Sequence, residues 1–465
     1  MERMDLNPAD GMSLAHKLFS AGHYAEAARV YQGVAIAENG NYDAVHGVAL
    51  CHSSLKQYDE AIRWYDRAGA VSLTQLIATA LNKATALGET GRSHDALRTL
   101  DDLLRLSPNN ATALYNRGLL RMQVEQWHEA IEDFERSLKL APSASYGNIE
   151  YARGFANLVL GNYMEGFRDF ENREKDEVPA AGGEEWIGDQ SLMGRTILVH
   201  AEMGSGDTIQ FSRYLPMMVD RGAHVYAVVH PGLTPLLDGM TGVTFCTEDP
   251  ESWPRTDYWV RLMSLAYCFN TTLETVPRPT IIIRPDEEGF MKWLHQMQPN
   301  SGRYNIGLCW AGNPESKYDA HRTIPAALLA PLVALARKHP VRFYGFQQTV
   351  RDSDREALQG LDILNLGPRF TDFRETAHAM GCLDLMITCD TSVAHMAGTV
   401  GVPTFVLLTK FRTYWLWLAG QDTTPWYPSM RCFKQTRDGD WPGVISTVTD
   451  RVAELVALRS AHWRK

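Results

Sequence analysis

The chain has no apolar run that approaches the roughly 18 residues needed for a membrane-spanning helix; its longest apolar stretches are strand-sized. Its start, MERMDLNPADG, has no basic region followed by an apolar one, so no secretory signal is expected and cytoplasmic residence is. Positive charge is also short. The 45 Lys+Arg against 55 Asp+Glu leave a formal net charge of -10, which argues against a general basic surface for nucleic acid or anionic lipid and makes any phosphate site a local one. The seven cysteines are scattered and contain no C-x-x-C pair, so reduced, mostly buried thiols are expected rather than zinc or redox chemistry. What is present is ordinary globular composition, 45% hydrophobic and 22% charged, too apolar for a disordered chain. A length of 465 residues predicts about three domains.

The first part of the chain is periodic. The segments GHYAEAARVY, KQYDEAIRWYDRA, GRSHDALRTLDDL, EQWHEAIEDFERSL and GNYMEGFRDFE place Ala27, Ala61, Ala96, Ala130 and Gly166 at spacings of 34, 35, 34 and 36. Four residues after each comes Tyr31, Tyr65, Leu100, Phe134 or Phe170; Pro108 and Pro142 follow twelve residues on, and Gly118 and Gly154 precede by twelve. This is the period of the tetratricopeptide repeat (TPR), in which helix pairs stack to share one core and curve into a groove. The predicted array of about five repeats covers residues 1–177. It specifies an interaction surface rather than a chemistry.

A Pro/Gly/Ala-rich stretch, VPAAGGEE, then reads as a linker over 178–192. Beyond it, short β-rich runs alternate with helical patterns, the mark of parallel sheets covered by helices. TILVHA, HVYAVV, VTFC and a strand near Tyr258 to Arg261 belong to a first α/β domain over 193–298, with a helix over Gln210 to Arg221 and, after an extended IIIRP, one around Glu287 to Gln298. YNIGLCW, VRFYGF, DILNL, LDLMITC and PTFVLL belong to a second over 299–465, with helices near 325–339, 351–359, 372–380 and 391–400. The predicted fold class is therefore an N-terminal TPR α-solenoid followed by two Rossmann-like α/β domains, with ligands beyond the carboxyl ends of the strands.

Three motifs lie at such ends. In His200-Ala-Glu-Met-Gly-Ser-Gly-Asp207, Gly204 and Gly206 permit close backbone approach and Asp207 stands at a helix mouth, open between an N-cap and a proton acceptor. His200 reads as a satisfied histidine at the strand end. In Cys389-Asp390-Thr391-Ser392-Val393-Ala394-His395, hydroxyls and free N–H groups at a helix start suit a diphosphate, with His395 one turn on; a capped helix with a core histidine fits equally. The loop Trp310-Ala-Gly312-Asn313 through Lys317 to Arg322 offers a cationic pair for phosphate, or solvated charge. Asp352-Ser-Asp354 and Asp438-Gly-Asp440 read as caps or turns, and no metal is expected.

Taken together, HAEMGSGDTIQFSRYLP, GLCWAGNPESKYDAHRTIP, DFRETAHAMGCLDLMITCDTSVAHMAGTVGVPTFVLL and PWYPSMRCFKQTRDGDWPGVI resemble the bacterial TPR-fused GT-B glycosyltransferases. Those are related to family 9, heptosyltransferase-like enzymes and to protein O-linked N-acetylglucosamine transferases. The resemblance implies a GT-B fold and metal-independent, inverting transfer from a nucleotide-sugar, a substrate rather than a cofactor. The acceptor it implies is a protein selected by the TPR groove, flagellin or another surface protein as in some relatives. Asp207 matches the base of such enzymes; Asp390, Thr391, Ser392 and His395 match donor contacts; Lys317 and Arg322 lie in the cationic loop, and Gln347 matches a nucleotide-side position. Gly204, Gly206, Trp310, Gly312 and Asn313 belong to the same loops. Tyr414-Trp415-Leu416-Trp417 departs from the family pattern, with Leu416 where an arginine is expected. Transfer to a glycan or lipopolysaccharide core, or a TPR scaffold with a degenerate transferase part, are the alternative functions.

Overall fold

The computed structural model describes residues 7–175, 182–279, 287–299, 302–315, 319–410 and 413–463. The chain divides into two compact units, Met1–Asn157 and Leu158–Lys465. Lys317 and the extended run IIIRP lie outside the described residues.

The first unit is built of antiparallel helix pairs: α1 (Pro8–Ser20) with α2 (Tyr24–Ala37), α3 (Tyr42–Ser54) with α4 (Tyr58–Arg67), α5 (Leu73–Glu89) with α6 (Ser93–Leu106), and α7 (Ala111–Gln123) with α8 (Trp127–Leu140). Starts are encoded locally: the side chains of Asn41, Ser72 and Asn110 accept from backbone N–H groups of the first turns of α3, α5 and α7, satisfying donors that have no partner within the helix. The small residues that carry the period, Ala27, Ala61, Ala96 and Ala130, are fully buried. α9 (Tyr146–Leu160) runs across the division, and α10 (Tyr163–Phe170), predicted as part of the fifth repeat, packs its Tyr163, Phe167 and Phe170 among tryptophans of the second unit.

The second unit holds two parallel sheets. β1 (Glu184–Glu185), β2 (Thr196–His200), β3 (His224–Val228), β4 (Val243–Cys246) and β5 (Tyr258–Arg261) form the first, in the order β1-β5-β2-β3-β4. Its helices are α11 (Ser205–Phe211), α12 (Leu215–Asp220), α13 (Thr234–Leu237) and α14 (Leu265–Cys268). After α15 (Glu288–Met297) come β6 (Tyr304–Cys309), β7 (Val341–Gly345), β8 (Ile363–Asn365), β9 (Leu385–Cys389), β10 (Thr404–Leu408) and β11 (Met430–Lys434), in the order β11-β10-β9-β6-β7-β8. This second sheet has the strand order of a Rossmann fold, with its switch point between β6 and β9; the first has one between β2 and β5. The helices α16 (Asp319–Arg322), α17 (Ala330–Val333), α18 (Asp352–Gln359), α19 (Phe373–Met380), α20 (Ser392–Val400) and α21 (Trp441–Trp463) cover it. β6, β9 and β10 are buried along their whole length, as strands covered on both faces must be.

Four features differ from the expectations. The stretch read as a linker contributes β1 to the first sheet and buries Trp186. The helix expected from Gln210 starts at Ser205, so Asp207 lies inside its first turn, and it breaks at Ser212–Tyr214. The 325–339 helix is a succession of short turns through Ala326–Arg337. The last 23-residue helix, α21, was not anticipated; it lays Val444, Val448, Val452 and Val456 into the core of the second sheet. All seven cysteines are free, five of them buried.

One small residue of the repeat tests how tightly the first unit is packed. A Cβ on Gly118 of α7 would lie 2.5 Å from the buried Phe134 ring of α8. Gly118→Val should therefore destabilise the first unit by about 1–3 kcal/mol, the usual cost of overpacking. The measurement is the urea midpoint of the repeat transition at unchanged m-value; an unchanged midpoint would show that α7 and α8 have room to separate.

Candidate functional site

The first half of the site grows from the carboxyl end of β2. Here the chain leaves a buried strand at His200, turns through Met203, which adopts a left-handed backbone (φ 62), and enters α11. The His230 ring meets the Met203 carbonyl at 3.0 Å. The Gly204 N–H donates to Asp207 Oδ2 at 3.1 Å, so the half-buried carboxylate closes back onto the start of its own helix. Burial raises its pKa and the charge of Glu202 adds to the rise, while the Gly204 N–H and the nearby Tyr414 hydroxyl oppose it. The cap and the titratable group are thus the same side chain. A carboxyl raised in this way is a better proton acceptor than an exposed aspartate once ionised.

The second half grows from the carboxyl end of β9. Thr391 is the N-cap of α20, its hydroxyl accepting from the Val393 N–H at 3.2 Å. Asp390, just before it, has a pKa raised to about 6 by burial, against the lowering influence of Trp417 and Arg322, with the charge of Asp207 pushing it up. The indole of Trp417 lies beside this carboxyl without the alignment of a full hydrogen bond. Arg322 does not pair with the Asp390 carboxylate: its Nη1 donates to the Asp390 backbone carbonyl at 2.9 Å, and its Nε donates to Asp319 at 3.3 Å. A Cβ on Gly312 would lie 2.5 Å from the Arg322 guanidinium, which accounts for glycine in that loop. His395 is buried, its Nδ1 3.1 Å from the Tyr427 hydroxyl. Burial, then the charges of Arg213 and Arg322, lower its pKa to about 3. It is a neutral imidazole at physiological pH, able to offer a hydrogen bond but no charge.

The halves meet because α11 packs against α20. A Cβ on Gly206 would stand 2.8 Å from His395 Cδ2, so glycine is what lets the two helix starts come together. Asp207, Asp390, Thr391, Arg322 and His395 are gathered there, with Ser392 half-buried in the first turn of α20. The segment Tyr414–Trp417 is part of this place: Tyr414 stands by Asp207 and Trp417 by Asp390. Leu416 between them is fully buried. Arg213 lies 5.0 Å over the Trp426 ring and 4.9 Å over the Tyr427 ring. Arg213 and Tyr427 were missed as site residues, since nothing in their spacing joins them to Asp207 and only the FSRY and PWYP segments around them gave a signal; Tyr414 and Trp417 were noted as a departure in pattern, without a role.

Other expected residues lie behind the site or away from it. Trp310 is buried in the core of the second sheet, its Nε1 donating to Asp354 at 3.2 Å. Gln347 is buried and spends its amide on the protein, Oε1 accepting from the Ala311 N–H at 3.0 Å and Nε2 donating to the Thr349 carbonyl at 3.1 Å; it props the Gly312 loop. Asn313 is exposed and accepts from the Glu315 N–H. Asp354 and Asp440 accept hydrogen bonds at helix starts. Among the described residues, no group of three or more His, Cys, Asp or Glu is arranged to hold a metal ion. No helix there is long and apolar enough to cross a membrane.

Models of the tetratricopeptide repeat match residues 18–83 and 85–146. The N-terminal part of the chain is a tetratricopeptide repeat array. Over 464 residues the chain is 24% identical to Protein FlbA of Caulobacter vibrioides, covering 93% of this chain and 76% of that protein. Among solved structures, a glycosyl transferase family 9 protein of Veillonella parvula shares 14% identity with a TM-score of 0.44, covering 58% of this chain and 99% of that one. MamA of Desulfovibrio magneticus shares 19% identity with a TM-score of 0.31 over 37% of this chain and 93% of that one. At these identities and scores, the chemistry rests on the site itself.

The two titratable groups of the second half pull stability in opposite directions. Asp390 holds its proton more tightly folded than unfolded, so its ionisation between 3.8 and about 6 lowers stability as pH rises. His395 resists protonation when folded, so stability falls with pH between 6.5 and about 3. Asp390→Asn removes the first effect and keeps the second. The variant should melt at a higher temperature than the parent at pH 7.5, with the difference shrinking towards zero near pH 4; calorimetry at both pH values checks this. A variant less stable at pH 7.5 would show that the ionised carboxylate is well paired.

Proposed function

We propose that the second unit is a metal-independent, inverting glycosyltransferase that takes a nucleotide-sugar on the α20 side and transfers the sugar to a protein acceptor selected by the TPR groove, in the cytoplasm. The observation that carries this reading is the packing of α11 on α20, which sets the Asp207 carboxylate beside a helix start that presents Thr391 and Ser392, with Arg322 held behind it.

Glycosyl transfer needs a proton acceptor at the attacking hydroxyl and stabilisation of the charge that develops on the departing diphosphate. Asp207 takes the acceptor's proton as its oxygen attacks the anomeric carbon from the face opposite the leaving group. The N-terminus of α20 and Arg322 receive the diphosphate, the helix through its dipole and the hydroxyls of Thr391 and Ser392, the guanidinium through its fixed charge. With no carboxylate attacking the sugar carbon, one displacement inverts the configuration. Asp390 repels a diphosphate as an anion, but a pKa raised to about 6 makes proton uptake easy near neutral pH, so an arriving diphosphate drives it to the neutral acid, able to donate a hydrogen bond. The repeats supply the acceptor surface, as stacked helix pairs do for extended segments.

Asp207→Asn should retain donor affinity in calorimetric titration and lose about 10²- to 10⁴-fold in turnover, the usual contribution of a general base. Near-normal turnover would leave Asp207 a helix cap. Arg322→Ala should weaken nucleotide diphosphate binding, and transfer should persist in chelator; strict dependence on Mg²⁺ or Mn²⁺ would overturn stabilisation by helix and guanidinium alone.

A further inference from the structure

Immediately before the site loop, Glu202 is buried, which is costly for a carboxylate unless it is paired. Its partner comes from the segment after α10. Arg173, also buried, donates from Nη2 to Glu202 Oε1 at 2.5 Å and from Nε to Oε2 at 3.3 Å. The same guanidinium donates to Glu171 Oε1 at 2.7 Å, to the Phe170 carbonyl at 3.4 Å and to Ser264 Oγ at 2.9 Å. Glu171 is in turn met by Ser264 at 2.8 Å and Lys175 at 2.9 Å. Two cations and two carboxylates thus cancel in one network tying α10, the end of β5 and the loop after β2 together. The forked grip on Glu202 fixes that loop two residues before Gly204, whose N–H holds Asp207.

We propose that the Arg173–Glu202 pair is a positioning device for Asp207, fixing the Ala201–Gly204 loop and holding a balanced ion pair behind its carboxyl group. The inference rests on the assignment of Asp207 as the base, but the charge balance can be read without turnover. The groups that face Asp207 are Glu202 from the loop before α11, Asp390 from the end of β9, His395 from α20, and Tyr414 and Tyr427 from the aromatic segment; the charges of Arg213 and Arg322 act on His395. The charge of Glu202 raises the Asp207 pKa, and the Arg173 guanidinium forked on Glu202 is placed to balance that charge.

The test is the titration of Asp207 in the full chain, followed by carbon NMR of labelled aspartate carboxyls, with its signal identified by its absence in Asp207→Asn. Glu202→Gln leaves Arg173 in excess and should lower the midpoint; Arg173→Gln leaves Glu202 in excess and should raise it, each by roughly half a unit or more. The double variant should return close to the parent. Arg173→Lys keeps the charge and loses the fork, so its midpoint should stay at the parental value while kcat falls several-fold at unchanged donor affinity. If Arg173→Gln fails to fold, Glu202→Gln and Arg173→Lys still decide. Shifts of the same sign in both Gln variants, or none in Glu202→Gln, would overturn the proposal. The predicted shifts in a chain that transfers no sugar would leave the proposal standing and remove the transferase reading.

Discussion

The close approach of two helix starts is the constraint on which the rest of the second unit depends. α11 and α20 leave different sheets, yet Gly206 rests on His395 with no space for a side chain between them. Because each helix follows a strand at the switch point of its sheet, this contact brings both switch points to one place. It also dictates the electrostatics. Two carboxyl groups, Asp207 and Asp390, come near enough for the charge of Asp207 to disfavour ionisation of Asp390, and burial raises the pKa of both. A histidine wedged at the contact, with two arginines in range, has no reason to take a proton.

Aromatic packing holds this arrangement in place. Tyr163, Phe167 and Phe170 of α10 meet Trp415 and Trp426, and Phe211 of α11 joins the same cluster. The Trp426 indole donates to the Tyr163 hydroxyl at 2.8 Å, so a buried polar atom is satisfied within an otherwise apolar cluster. The residues preceding the first sheet in sequence are therefore built into the unit that carries the site.

Much of this was legible because it obeys local rules. Ala61 and Ala96 recur at the repeat period because a helix pair admits only a small side chain there, and β6 or β9 reads as an unbroken apolar run because both faces are covered. Asp390 stood out because it directly follows a strand, and Asp207 because a glycine-rich turn leads from a strand into its helix. What stayed hidden depends on pairs distant in sequence. Arg173 finds Glu202 across 29 positions, and Arg213 finds the Trp426 carbonyl across 213; no periodicity records either. Trp310 and Gln347 lie where strands end, but which way their side chains face is not written in the sequence: Trp310 turns into the core and Gln347 onto the loop that carries Gly312. β1 escaped notice because two glutamates in a glycine-rich stretch carry no strand signal of their own, and their pairing is supplied by β5.

The tryptophan beside Asp390 has a consequence for optical work. Indole emission responds to the charge and polarity of its immediate surroundings, and Trp417 lies against a carboxyl group that changes charge near pH 6. The segment Tyr414–Trp417 therefore places a chromophore beside a group whose protonation alters the local field. Its emission carries the site's ionisation as a difference, seen against the other eleven tryptophans of the chain by comparison with a Trp417→Phe variant.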